Sequence, residues 1–131
     1  MTTFKLELLP ATFAIFRLGA AAQVPEWATG EFVSITRTPD ELSIVCPQGN
    51  AAEGTQHEPG WRCLRVAGPL DFSMVGVIAS LTGALAAASI SVFVVSTFDT
   101  DYLLVKEGDL KAAVESLSAA GQTITAGPTT Q

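Results

Sequence analysis

Asp99 and Asp101 lie two residues apart in the segment Ser96-Thr97-Phe98-Asp99-Thr100-Asp101, beside three hydroxyl groups. Carboxylates in that setting can accept charge-assisted hydrogen bonds from a cationic ligand group. The same residues also suit a hairpin turn whose acids are solvated or bond backbone amides. Both readings stand at this level. Other chemistries find less support. His57 is the sole histidine, sits in an irregular stretch and has no evident orienting partner, so it reads as a solvated loop residue rather than half of a Ser–His or Cys–His dyad. The chain has no Gly-x-Ser-x-Gly nucleophile motif and no glycine-rich phosphate loop. Cys46 and Cys63 read as small buried side chains, reduced in a cytoplasmic setting. Two cysteines do not make a disulfide scaffold, and with one histidine they fall short of a zinc set. No metal, cofactor or catalytic residue is expected.

The elements that position these acids emerge from composition. The chain has 131 residues, 48% hydrophobic, 15% charged, with a net charge of −6. That apolar fraction excludes a disordered chain. Seven scattered basic residues in an acidic chain argue against nucleic-acid binding. Between Asp71 and Asp99 run 27 residues without a charge, which raises the question of a membrane span. Met74, Ile78, Leu81 and Leu85 form one apolar stripe rather than a full cylinder, and Ser91–Ser96 turns to β-branched and aromatic residues. Helix followed by strand is too short in each part to cross a bilayer, so a soluble, cytoplasmic protein without a membrane partner is expected.

Residues 4–9 and 12–18 read as two short strands separated by Pro10, with a single helical turn over Val24–Ala28. Glu31–Arg37 and Glu41–Cys46 read as a hairpin turned by Thr38-Pro39-Asp40, and 51–59 as a linker or irregular excursion. The later half reads as strand Trp61–Ala67, helix Ser73–Ala88, strands Ile90–Ser96 and Tyr102–Lys106, and a last helix capped by Asp109 and ended by Gly121. Asp71 is placed as an N-cap or first-turn acid. Strand 90–96, apolar at nearly every position, is expected to be central or buried on both faces. Trp27 and Trp61 are expected to cover the edges of the linker.

The second half thus runs β-α-β-β-α, and overlaying the halves at an offset of 60 residues sets Ile35–Leu42 against Val95–Tyr102. This predicts a duplicated βαββα unit whose first copy has a shortened helix. The fold class that follows is α+β: an antiparallel sheet with helices on one face. The expected boundaries are 1–57 and 58–124, followed by a disordered tail at 125–131.

The stretch Gly68-Pro69-Leu70-Asp71-Phe72-Ser73-Met74-Val75-Gly76-Val77-Ile78-Ala79-Ser80-Leu81 with Ile90–Val105 resembles an ACT domain. More narrowly, it is similar to the subfamily of small bacterial ACT proteins and of the CASTOR arginine sensors. Thr36–Cys46 resembles the companion motif in the first half. The resemblance covers roughly residues 4–122 and implies ferredoxin-like βαββαβ ACT units in tandem. It also implies a small effector, often an amino acid, bound at an interface between units. By that resemblance the ligand-binding residues are Asp71, Phe72, Ser73, Met74, Val75 and Gly76 in one loop. In the other they are Ser96, Thr97, Phe98, Asp99, Thr100 and Asp101, of which Thr97, Phe98 and Asp101 match motif positions that contact the amino acid in the arginine-binding relatives.

In the functional reading Asp101 accepts hydrogen bonds from a ligand α-ammonium, and backbone N–H groups near Gly76 receive its carboxylate. In the bland reading Gly68 makes a turn and Gly76 permits tight helix–sheet packing. Met74 stands where the arginine-binding relatives place an acid, which leaves a guanidinium side chain without that counter-charge. The expectation is a non-catalytic regulatory protein that binds a small metabolite, forms a homodimer and acts on a protein partner. The alternative is an oligomerisation module without a ligand.

Overall fold

The computed structural model describes residues 3–68 and 76–126. These divide into two compact units, one made of Met1–Pro10 with Arg62–Gln131 and one of Ala11–Trp61. The first carries helices and the second does not. Strands β1 (Lys5–Leu18) and β4 (His57–Val66) each contribute residues to both units. The segment Lys5–Pro10 therefore groups with the later part of the chain, whereas the sequence assigns it to 1–57.

The helix-bearing unit continues from β4 through α1 (Val77–Ala87), β5 (Phe93–Ser96), β6 (Asp101–Lys106), a 3₁₀ turn Glu107–Asp109, α2 (Leu110–Ala119) and β7 (Thr123–Ala126). From β4 onward this is a β-α-β-β-α-β order. The hydrogen-bonded strand order is β7-β1-β4-β6-β5, with β7 parallel to β1 and β5 antiparallel to β6. Leu64 and Val66, Leu103 and Val105 recur with the period of two that places them on one sheet face. Together with Leu6 they form one core with Val77, Leu81 and Leu85 of α1 and Ala113 and Leu117 of α2. Burying each such large side chain is worth about 1.5–3 kcal/mol.

Both helices end in the same hydrogen-bond pattern. Ile90 N–H donates to Leu85 O and Ser89 N–H to Ala86 O; at the end of α2, Gln122 N–H donates to Leu117 O and Gly121 N–H to Ser118 O. Each is a 6→1 bond with a 5→2 bond, the pattern that requires a left-handed residue. Gly121 supplies it at φ 96° and ends α2 where the sequence indicates, whereas α1 uses Ser89 at φ 60°.

Three sequence expectations change in this unit. Strand β5 stands at the end of the strand order with half-buried Phe93, Val94 and Val95, instead of lying centrally. Its unbroken apolar composition arises because Val92 and Val94 pack against the helical core while the neighbouring side chains are also partly covered. Thr125 and Ala126, expected in the tail, pair with Glu7 and Leu8. The β-branched run Thr123-Ile124-Thr125 is the sequence feature behind that strand. The buried stripe of α1 begins at Val77 rather than Ile78, and the described helix starts after Gly76. Asp71 as a cap and Met74 on the stripe lie outside the described residues, as does the tail beyond Ala126.

The helix-free unit is made of the later part of β1, β2 (Ser34–Arg37), β3 (Leu42–Pro47) and the start of β4, in the order β2-β3-β1-β4. Pro10 does not break β1. It falls between the register with β7 (Lys5–Leu8) and the register with β3 (Phe13–Leu18), so its missing N–H removes no bond from those two ladders. Where the sequence expects a short first helix, Ala28 N–H donates to Pro25 O in one turn, and no helix forms in this unit. Trp27, Ala28, Val33 and Ala51 instead pack over Ala14, Phe16, Leu42, Ile44 and Cys46. His57 opens β4 rather than sitting in a loop, and its ring stacks on Phe16 at 5.3 Å.

Candidate functional site

The two hairpins, β2–β3 and β5–β6, repeat each other at an offset of 59 residues. Ser34, Ile35, Thr36 and Arg37 pair with Val45, Ile44, Ser43 and Leu42; Phe93, Val94, Val95 and Ser96 pair with Leu104, Leu103, Tyr102 and Asp101. The 60-residue overlay is therefore wrong by one position, which in a strand exchanges the two faces. At the correct offset the turn threonines coincide. Thr38 Oγ1 accepts from the N–H groups of Asp40 and Glu41 at 3.2 Å, and Thr38 N–H donates to Glu41 O at 2.9 Å. Thr97 N–H likewise donates to Thr100 O at 2.8 Å, and Thr97 Oγ1 accepts from Thr100 N–H at 3.4 Å. Side-chain hydroxyls that satisfy turn amides in this way hold the chain in a tight reversal.

Within the β5–β6 turn the six expected residues have distinct positions. Ser96 and Asp101 face each other as cross-strand partners, and Ser96 Oγ donates to Asp101 Oδ1 at 2.5 Å. Among the described residues neither Asp99 nor Asp101 has a cationic partner within ion-pair distance. Thr100 is buried at 4% exposure, and its hydroxyl donates to Val66 O at 2.5 Å, which fastens the turn to the end of β4. The Val66 carbonyl carries no side-chain signature, so sequence reasoning does not find it. Phe98, at the tip, is 79% exposed, with Asp99 exposed beside it.

Gly76 stands at the N-cap of α1 with φ 81°, a conformation that favours glycine, and its carbonyl accepts the Ser80 N–H at 2.8 Å. Among the described residues no side chain caps that helix start, and no acid lies in its first turn. Asp71, Phe72, Ser73, Met74 and Val75 lie outside the described residues. What the described part of the site offers is a carboxylate with spare acceptor capacity, a neighbouring hydroxyl and an exposed ring on a fixed turn. That set suits reversible binding of a cationic group.

The remaining reactive groups are quiet. Burial pushes the Cys63 thiol up to about 12 and raises that of Cys46, so both stay protonated and weakly nucleophilic at neutral pH. Among the described residues no three His, Cys, Asp or Glu side chains gather as a metal set, and no helix is long and apolar enough to cross a membrane.

Comparison with known proteins also separates an earlier from a later part of the chain. Residues 56–119 match the family model of the ACT domain, and residues 11–53 match a separate model of an N-terminal domain. The human cytosolic arginine sensor for mTORC1 subunit 1 is 43% identical over 58 residues, which are 44% of this chain and 18% of that protein. The chain thus matches under a fifth of the length of this relative. A crystal structure of a protein from Agrobacterium tumefaciens superposes with a TM-score of 0.93 at 39% identity, covering 100% of this chain and 98% of that one. The ligand-free regulatory subunit of aspartate kinase from Thermus thermophilus shares the fold, with a TM-score of 0.65 at 14% identity, covering 90% of this chain and 97% of that one.

Proposed function

Because residues 56–119 match the ACT-domain family model, we propose that the chain is a non-catalytic regulatory protein that binds an amino acid where ACT domains of two copies meet. The observation that carries this reading is the Ser96–Asp101 pair, a hydroxyl bonded to a carboxylate that has no cationic partner among the described residues, on a turn within the residues that match the ACT domain. Asp101 receives the ligand's α-ammonium, with backbone groups of Thr97 and Phe98 beside it. Residues 71–76 receive the carboxylate at the start of α1. Ser73, Met74 and Val75 then lie against the ligand, with Phe72, Asp99 and Thr100 completing the two loops. The relationship to the arginine sensor supports amino-acid sensing as the class of function. Occupancy is passed to a protein partner through a change in packing between copies, limited by the ligand's differential affinity for the two states. The proposed setting is the cytoplasm, and the proposed architecture is a tandem of ACT-like units in which the first has lost its helices.

A second reading treats the chain as an oligomerisation module without a ligand. The uncharged edge strand β5 supports it, since such edges favour pairing with another chain. Isothermal titration of the full chain against the twenty standard amino acids separates the two. Saturable heat with one or a few of them is expected. Silence from all twenty at millimolar concentration, with folded protein, leaves only the module.

A further inference from the structure

A cavity of about 150 Å³ lies in the helix-free unit, at the turn end of the β2–β3 hairpin. Taking about 30 Å³ per molecule of liquid water, it holds about five waters, the room for a short carbon skeleton with two polar ends. Its lining is unusual for so small a space because it carries both signs of charge. Arg17, Glu41 and Glu58 are among its lining residues. Arg17 is paired across the strands with Ser43, and its N–H donates to Gln56 O at 3.0 Å, so three adjacent strands bring polar groups to one place.

The guanidinium is held before any ligand arrives. Arg17 Nη2 donates to Asp40 O at 3.0 Å, which ties the guanidinium to the hairpin turn while leaving further donors on the same fork. Glu41 closes the turn that Thr38 braces. On the apolar side, His57 is stacked on Phe16, and its Nδ1 lies 2.7 Å from Thr55 O. A neutral ring in that contact donates from Nδ1 and keeps Nε2 as an acceptor. A guanidinium tied to the turn, with carboxylate-bearing side chains among the other lining residues, can meet both ends of a molecule that carries opposite charges.

We propose that this cavity binds a small zwitterion, with its carboxylate on Arg17 and its ammonium on Glu41. The site stands independently of the one at Ser96–Asp101, since no residue is shared and the cavity lies wholly within residues 11–61.

The test uses the full chain labelled with ¹⁵N. Glycine, L-alanine, L-serine and L-aspartate are the probes, and acetate and methylammonium are single-charge controls. At least one zwitterion is expected to shift the amide signals of Ser43, Gln56 and His57 saturably at millimolar concentration. Arg17→Gln and Glu41→Gln should each weaken that response about tenfold, and Arg17→Lys, which keeps the charge but loses the fork, should weaken it too. Asp101→Asn should leave it unchanged. The proposal is overturned if no zwitterion shifts these signals, or if acetate or methylammonium alone saturates them as tightly. It is equally overturned if Asp101→Asn abolishes the response, because the two sites are then one.

Discussion

The β2–β3 and β5–β6 hairpins have the same register and the same threonine-braced turn, yet they support different chemistry. At the paired positions where β5–β6 has Ser96 and Asp101, β2–β3 has Arg37 and Leu42. Arg37 turns its guanidinium to Ala20 O, and Leu42 is fully buried. Where β5–β6 has Thr100 anchored to Val66 O, β2–β3 has Glu41 at the wall of a cavity. The turn is thus the shared scaffold, and the residues at its two ends decide what it can hold. The supports differ as well: one sheet face lies under two helices, the other under a stretch of loop carrying Trp27 and Val33.

The sharpest separation comes from residues at matching positions. Thr100→Val removes a buried hydroxyl and leaves the Val66 carbonyl without its partner, so a loss of about 1–3 kcal/mol is expected in chemical denaturation. Glu41→Gln, its counterpart at the offset of 59, should change stability by less than about 0.5 kcal/mol. Equal losses at both sites would mean that the two turns are anchored alike.

A second contrast concerns pH. Burial raises the Cys63 thiol from its usual 9.0 to about 12. Above the usual value the unfolded chain releases this proton while the folded chain keeps it. The folded state then binds more protons, and stability falls as pH rises. Denaturation midpoints should decline from about pH 9 towards about pH 12, and Cys63→Ala should flatten that decline relative to Cys46→Ala. An identical slope in both variants would contradict the larger upward shift of the Cys63 thiol.

Smaller effects test the turn itself. Thr38→Ala should cost about 1 kcal/mol, because two turn N–H groups lose their acceptor, and Thr97→Ala about half as much. Smallest is the comparison of helix ends. Ser89→Gly should stabilise the chain by about 0.5–1 kcal/mol by removing a side chain from a left-handed position, and Gly121→Ala should destabilise it by a similar amount. Thermal melts that move in the same direction for both would show that the two helix ends are not equivalent.

The sequence carried the local devices and lost the register that joins them. Both hairpins were visible as strand–turn–strand, and Gly121 announced the end of α2 because its residue type and position are both diagnostic. The repeat was visible too, but an overlay by similarity slid by one residue: Asp99 and Asp101 offer two equally good matches for the acids Asp40 and Glu41. Only pairing decides between them. Pro10 misled because a proline inside a strand is normally disruptive, and whether it disrupts depends on which ladder it faces. Apolar composition makes β5 read as central or buried on both faces, although an edge strand that is partly covered on both faces reads the same way. Of the site, the Ser96–Asp101 pair was legible as neighbouring types, whereas the anchoring of Thr100 to a backbone carbonyl was not. The Arg17 cavity draws on three strands far apart in the chain, which no local pattern reveals.

The central claim rests on Asp101 as the acceptor for a ligand ammonium, and one measurement addresses it most directly. Isothermal titration of the wild-type chain and Asp101→Ala with the amino acid that binds should show a loss of at least about tenfold in affinity in the variant, with the fold unchanged by circular dichroism. Equal affinity for that amino acid in the two proteins would contradict the account.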